Sequence, residues 1–142
     1  MKVLSLLQPL ATLVVMGVKK YEVRSWQTKH RGALLIHASA KKPSRRERLF
    51  FEEADYFRDY IDSMDHLPYG AIIGEVNLLA IHETGWLLQH LEADPFHNWA
   101  RELAFDDYSP GRYAWQLTGA RKLGYVLPLK GSLGLWEYKG DV

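Results

Sequence analysis

Apolar and polar positions alternate along some stretches of this chain and recur at helical spacing along others. "MKVLSLL" reads as a first strand. Pro9 then opens a short helix through "LATLVVMG", with proline at an early helical position and Gly17 as the stop. Val14 and Val15 make strand the rival reading there. "KYEVRSW" places Tyr21, Val23 and Ser25 on one side and Lys20, Glu22, Arg24 and Trp26 on the other. That predicts a strand with one core face and one polar face. "GALLIHAS" predicts a second, more deeply buried strand. Pro43-Ser44 opens a long helix, with Ser44 and Glu47 at capping-box spacing and Leu49, Phe50, Ala54, Phe57 and Ile61 forming an apolar face. "YGAIIGEVNLLAIHET" predicts a long strand with a bend at Gly74. The aromatic stretch 84–106 holds "GWLLQHL" and "PFHNWARELAF" as short helices or ordered loop. "GRYAWQLTGARKL" predicts a strand in which Tyr113, Trp115 and Leu117 alternate, and "LPLKGSLGLWEY" a Gly-rich turn and a last short strand. About six strands with two or more helices, lacking regular βαβ alternation, predict an α+β fold. A small mixed β-barrel with flanking helices fits this better than a doubly wound sheet.

A length of 142 residues predicts one domain, 1–142. The absence of cysteine excludes disulfides, thiolate catalysis and cysteine-ligated metal, and makes a reducing cytoplasm the natural compartment. Gln8 and Pro9 split the apolar start, so no signal peptide is expected, and no run is long enough for a membrane span. Charge changes the picture most. The net charge of +1 conceals +9 over residues 1–48, −11 over 49–110 and +3 over 111–142. Such segregation suits a polyanion-binding face on the N-terminal portion. Mutual neutralisation of basic and acidic parts across the fold is the plainer alternative.

Three stretches carry candidate chemistry. In "GVKKYEVRSW", Glu22, Arg24 and Trp26 share a strand side, with Lys19 at the helix-to-strand corner. A carboxylate beside cations stays ionised and orients them. Arg and Trp together grip a planar, polar ligand by stacking and forked hydrogen bonds. A solvated strand face with a weak Glu–Arg pair is the plainer reading. In "HASAKKPSRRER", a strand end releases His37, Ser39, Lys41, Lys42, Arg45, Arg46 and Arg48 near a helix start, an arrangement that suits phosphate. A solvated basic loop is again the alternative. In "DDYSPGRYAWQL", a turn leads into Arg112, Tyr113 and Trp115. Tyr113 and Trp115 at alternate positions are the mark of a core strand more than of a ligand platform. His30, His37, His66, His82, His90 and His97 show no metal-ligand spacing, and no metal or cofactor is expected.

The residues Gly17, Lys19, Glu22 and Arg24 of "GVKKYEVRSW" match the GxKxxExR pattern of the ASCH domain, a branch of the PUA-like superfamily. "QPLATLVVMG", "RGALLIHAS", "GAIIGEV", "YSPGRYAWQL" and "KGSLGLWEY" extend the resemblance over nearly the whole chain, with residues 84–104 the least typical. The resemblance implies a PUA-like β-barrel with helices at its ends and a cleft beside the motif. It also implies an RNA or nucleotide ligand, a modified base among the possibilities. Lys19, Glu22 and Arg24 would line that cleft, with Gln8, Ser39, Lys41, Ser109 and Arg112 around it and Trp26 and Tyr108 as stacking surfaces. One ASCH branch consists of amidohydrolases acting on N4-acetylated cytidine. This chain resembles them at Lys19 but carries Glu22 where they have threonine. Glu75 in "GEV" is the tempting stand-in for their later glutamate.

Three functions follow as expectations. The first is an RNA- or nucleotide-binding module, with phosphates on Lys41, Lys42, Arg45 and Arg46. The second is a small hydrolase of a modified nucleoside, or an RNA-cleaving protein, using Lys19 and Glu22 as an acid/base pair. Its lysine would need a lowered pKa. The third is a protein-interaction domain working through the acidic helix from Glu47 to Asp65.

Overall fold

The computed structural model describes all 142 residues. Six strands form one sheet: β1 (Lys2–Leu6), β2 (Tyr21–Arg24), β3 (Gly32–Ala38), β4 (Ala71–Glu83), β5 (Tyr113–Pro128) and β6 (Leu135–Glu137). Their order is β2-β5-β4-β3-β1-β6. Only β1 and β3 run parallel; every other pairing is antiparallel. The helices are α1 (Leu10–Val15), α2 (Arg45–Glu53), α3 (Asp55–Arg58), α4 (Thr84–Leu88) and α5 (Trp99–Ala104). None is long and apolar enough to cross a membrane. The mixed α+β fold of the sequence reading is present, with the barrel realised as a curled half-barrel. The edge strands β2 and β6 do not pair with each other. Curling brings β2 beside β1, where the Arg24 guanidinium donates to the Ser5 carbonyl at 2.9 Å.

The sheet curls around α1. Ala11, Val14 and Val15 of that helix enter the main core with Leu4, Leu6, Leu34, Ile36, Ala38, Trp115 and Leu117. Strand β4 supplies Ala71 and Ile73, then Val76 and Leu78, so its inward positions change phase midway. Irregular pairing around Gly74 inserts the extra residue that makes this possible. Glycine is needed there because a Cβ would lie 2.7 Å from the Arg121 carbonyl oxygen and would collide with Val15. The expected bend at Gly74 is thus the point where helix and sheet touch.

The long helix expected from Pro43 is broken. The capping box of Ser44 and Glu47 is formed, but Ala54 turns extended (φ −69°, ψ 136°) and separates α2 from α3. A single apolar face is not preserved: Phe50 is 58% exposed while Phe57 is buried against Leu13 and Phe105. The break swings Phe57 inward, which a continuous helix carrying both on one face would not do. Of the two forms expected for 84–106, short helices or ordered loop, the short helices α4 and α5 are present, and Leu87, Leu91, Trp99 and Leu103, with Tyr108, pack on Tyr21 and Val23.

Candidate ligand cleft and its buried charge cluster

Helix α1 ends at Val15, and just past its Met16 cap Gly17 takes a φ of +76°, the left-handed conformation glycine adopts freely. The amides of Val18 and Lys19 both donate to the Leu13 carbonyl, at 3.0 and 3.1 Å. This tight exit turns Lys19 into the protein, where its side chain has no exposed surface. Its Nζ donates to Glu22 Oε1 at 2.9 Å, to Asp106 Oδ2 at 2.7 Å and to the Tyr21 carbonyl. Three donors meet three acceptors. The other Glu22 oxygen accepts from Arg24 Nε at 2.9 Å, and Asp106 Oδ2 also accepts the Val23 amide at 3.0 Å. A chain Asp106–Lys19–Glu22–Arg24 therefore runs from beneath β2 to its surface.

Burial opposes charge on Lys19, but Glu22 and Asp106 outweigh it and hold the ammonium pKa above its ordinary value. Burial also opposes ionisation of Glu22; Lys19 and Arg24 outweigh that and keep its carboxyl below the usual range. Asp106 goes the other way. Its desolvation, with repulsion from Glu22, exceeds the pull of Lys19 and raises its pKa. A lysine so held has no lowered pKa with which to serve as a base.

Above this cluster lies a cleft of about 250 Å³ lined by Ser5, Leu7, Leu10, Glu22, Val23, Arg24 and Arg112. Arg24 is a quarter exposed, and its Nη1 has no partner within the chain. Arg112 is anchored by its Nε on the Asp107 carbonyl at 3.0 Å, which leaves its Nη groups free at the rim. The side of β2 read from the sequence as polar therefore faces inward and is largely covered. Lys19 lies behind the cleft wall, not on it.

The remaining site residues divide. A small recess adjoining the cleft at Leu7 is lined by Gln8, Lys41, Lys42, Pro43 and Glu47. Within it Gln8 is committed to structure, donating to the Pro68 carbonyl at 2.8 Å and accepting the Thr12 amide at 3.0 Å. Lys42 Nζ sits 3.7 Å over the Tyr69 ring. Arg45 and Arg46 are exposed in the first turn of α2. Ser39 lines a separate pocket beyond Ser5. Ser109 is exposed in the turn before Arg112 and accepts Thr84 Oγ1 on its carbonyl. The two expected stacking surfaces are elsewhere. Trp26 packs edge-on against Trp115, centroids 5.0 Å apart, on the main core. Tyr108 is buried in the cluster under α4 and α5. Large aromatic surfaces are worth more buried than held in a wet cleft. Glu75 is also remote from the cluster and pairs with Arg121 on the sheet.

The carboxylate that does reach Lys19 is Asp106, which sequence reasoning quoted in "DDYSPGRYAWQL" without giving it a role. Glu102 was missed as well. Fully buried, it accepts the Lys20 and Tyr21 amides at 2.9 and 3.3 Å and His97 Nε2 at 2.9 Å. It pins α5 to the start of β2. The acidic run was the only sequence signal for either residue.

The profile of the ASCH domain matches residues 4–127. Activating signal cointegrator 1 from Homo sapiens is 29% identical over 148 residues, covering 98% of this chain and 22% of the relative; the Mus musculus protein gives the same figures. The chain thus spans about a fifth of the length of the curated relatives it matches. Among solved structures, ASCH from Zymomonas mobilis superposes with a TM-score of 0.57 at 17% identity, covering 97% of this chain and 87% of that one. A point mutant of the same protein gives 0.57 and 17%, covering 97% and 90%. That likeness speaks to the fold, and the fold agrees with the motif: the chain belongs to the ASCH domain family, within the PUA-like superfamily.

Proposed function

We propose that this domain binds single-stranded RNA or a nucleotide in the cleft beside β2. The observation that carries this reading is the pair of guanidinium groups at the cleft, Arg24 held in place by Glu22 and Arg112 anchored at the rim. A pre-oriented guanidinium recognises a phosphate through forked, charge-assisted hydrogen bonds. The one carboxylate in the cleft, Glu22, is already neutralised by Lys19 and Arg24. Lys41, Lys42, Arg45 and Arg46 extend the positive surface for a longer strand. General association of PUA-like folds with RNA supports the same reading. Use of Lys19 as a catalytic base draws no support from its full burial, three hydrogen bonds and raised pKa.

Fluorescence anisotropy with a short labelled RNA tests this. Affinity is expected to fall steeply with salt. Arg112→Ala, which removes no buried contact, is expected to weaken binding by about 10-fold or more and to lower the salt slope by about one. Unchanged affinity and slope in a folded Arg112→Ala protein would remove this cleft as the site.

A further inference from the structure

The parallel pairing of β1 with β3 sets Ser5 directly opposite His37. The pairing of β3 with β4 is irregular between Ile36 and His37, a bulge of the kind that re-aims a side chain. Ser5 Oγ lies 3.0 Å from His37 Nδ1, and His37 Nε2 lies 2.7 Å from the Leu129 carbonyl oxygen. A carbonyl only accepts, so Nε2 carries the proton, and in the neutral ring Nδ1 accepts from the Ser5 hydroxyl. Trp136 Nε1 donates to Ser5 Oγ at 3.1 Å, which leaves one Oγ lone pair free. His37 is 1% exposed, and its ring meets Trp136 edge-on. The imidazole is thereby fixed in place, tautomer and tilt. A hydroxyl bonded to an imidazole that a third group orients is the arrangement of an activated nucleophile.

Ser5 and His37 are not sealed in. Both line a pocket of about 320 Å³ with Ser39, Lys130, Gly131 and Ser132. The loop 130–133 lies close over the pair, since a Cβ on Gly131 would come within 2.8 Å of Ser5 Oγ. The Gly131, Ser132 and Leu133 amides of that loop have no acceptor within the chain. Loop amides without a partner in the chain are donors that a developing oxyanion can use.

We propose that Ser5 and His37 form a nucleophile–base pair for acyl transfer from small carboxylic esters, with Lys130 favouring an anionic substrate. Ser5 Oγ bonds to the ester carbonyl carbon while its proton passes to His37 Nδ1, and the carbonyl electron pair moves onto oxygen beside the loop amides. As the carbonyl re-forms, the bond to the leaving alkoxide breaks and His37 returns the proton to it. Water then adds to the acyl-serine with His37 as base, releasing the carboxylic acid and restoring the Ser5 hydroxyl. Ser5 lines both this pocket and the cleft, but His37, Lys130 and Gly131 line only the pocket, and Arg24 and Arg112 only the cleft, so the reaction stands apart from the RNA reading.

The deciding experiment treats the folded wild-type chain with a fluorophosphonate and maps the adduct by peptide mass spectrometry. A single adduct at Ser5 is expected. Absence of that adduct while a serine hydrolase in the same mixture is labelled, or equal adducts on Ser39 and Ser132, would overturn the proposal. Hydrolysis of 4-nitrophenyl acetate is expected to fall at least 10-fold in Ser5→Ala and in His37→Gln. An unchanged rate in either folded variant would also overturn it. Should a variant fail to fold, the wild-type map decides alone. No RNA is present in these assays, so their failure leaves the cleft reading untouched, and the anisotropy test leaves this one untouched.

Discussion

Replacing Lys19 by methionine separates a structural role from a ligand-binding one. Methionine fills similar space but removes the charge shared by Glu22 and Asp106, whose side chains are 7% and 14% exposed. Arg24 still compensates Glu22, while Asp106 keeps only the Val23 amide. Breaking a buried pair by deleting one partner costs about 3–5 kcal/mol, because the abandoned charge stays buried. For a domain of this size roughly 2–4 °C of Tm is lost per kcal/mol, so a fall of about 10 °C is expected. The deficit has a definite pH dependence. Without Lys19, Asp106 loses the one cation that offsets its burial, so its already raised folded pKa moves further above the unfolded value, while Glu22 keeps Arg24. The charged Asp106 carboxyl then destabilises the fold at neutral pH and is relieved as pH falls through the raised folded value toward about 4. In the wild type Glu22 behaves oppositely: its lowered folded pKa contributes stability present above the unfolded value and lost as pH falls through the folded one. Thermal melts by circular dichroism between pH 7 and 5 are therefore expected to show the variant's deficit narrowing with acid. Adding Asp106→Asn to Lys19→Met is expected to recover part of the loss. A deficit below about 1 kcal/mol, independent of pH and accompanied by lost RNA binding, would refute the buried counter-ion and return Lys19 to the cleft.

Gly74→Ala is expected to destabilise by about 1–3 kcal/mol in urea titration, since the added methyl meets Val15 and the Arg121 carbonyl where α1 crosses β4. Glu102→Ala strands the Lys20 and Tyr21 amides and His97, and is expected to speed hydrogen exchange at residues 20 and 21 and across 97–104 more than elsewhere. Ser44→Ala removes one arm of an exposed capping box and is expected to cost about 1 kcal/mol, visible as fraying at the start of α2 in exchange measurements.

Much of this protein was legible in its sequence because the relevant signals are local. Strand alternation, the Gly17 helix stop, the Ser44–Glu47 cap and the Gly74 bend each depend on a few neighbouring residues, and each forms where the pattern placed it. The GxKxxExR motif likewise points to the family from a few neighbouring residues. Alternation gave Glu22 and Arg24 a common side of their strand, but it has no knowledge of what lies opposite. Curling of the sheet around α1 turned that side inward and buried Lys19 completely. Asp106 meets Lys19 from 87 positions away, and His37 meets Ser5 from 32. Partners at such separations are chosen by strand order and register, which local periodicity does not encode. The same long-range packing broke the expected helix at Ala54, where burying Phe57 against Leu13 and Phe105 prevailed over one continuous apolar face. The sequence by itself determined the strands, the local caps and bends, and the family. The tertiary structure alone decided which charges are buried, which arginines face the cleft and which serine meets a histidine, because those outcomes rest on contacts between segments far apart in the chain.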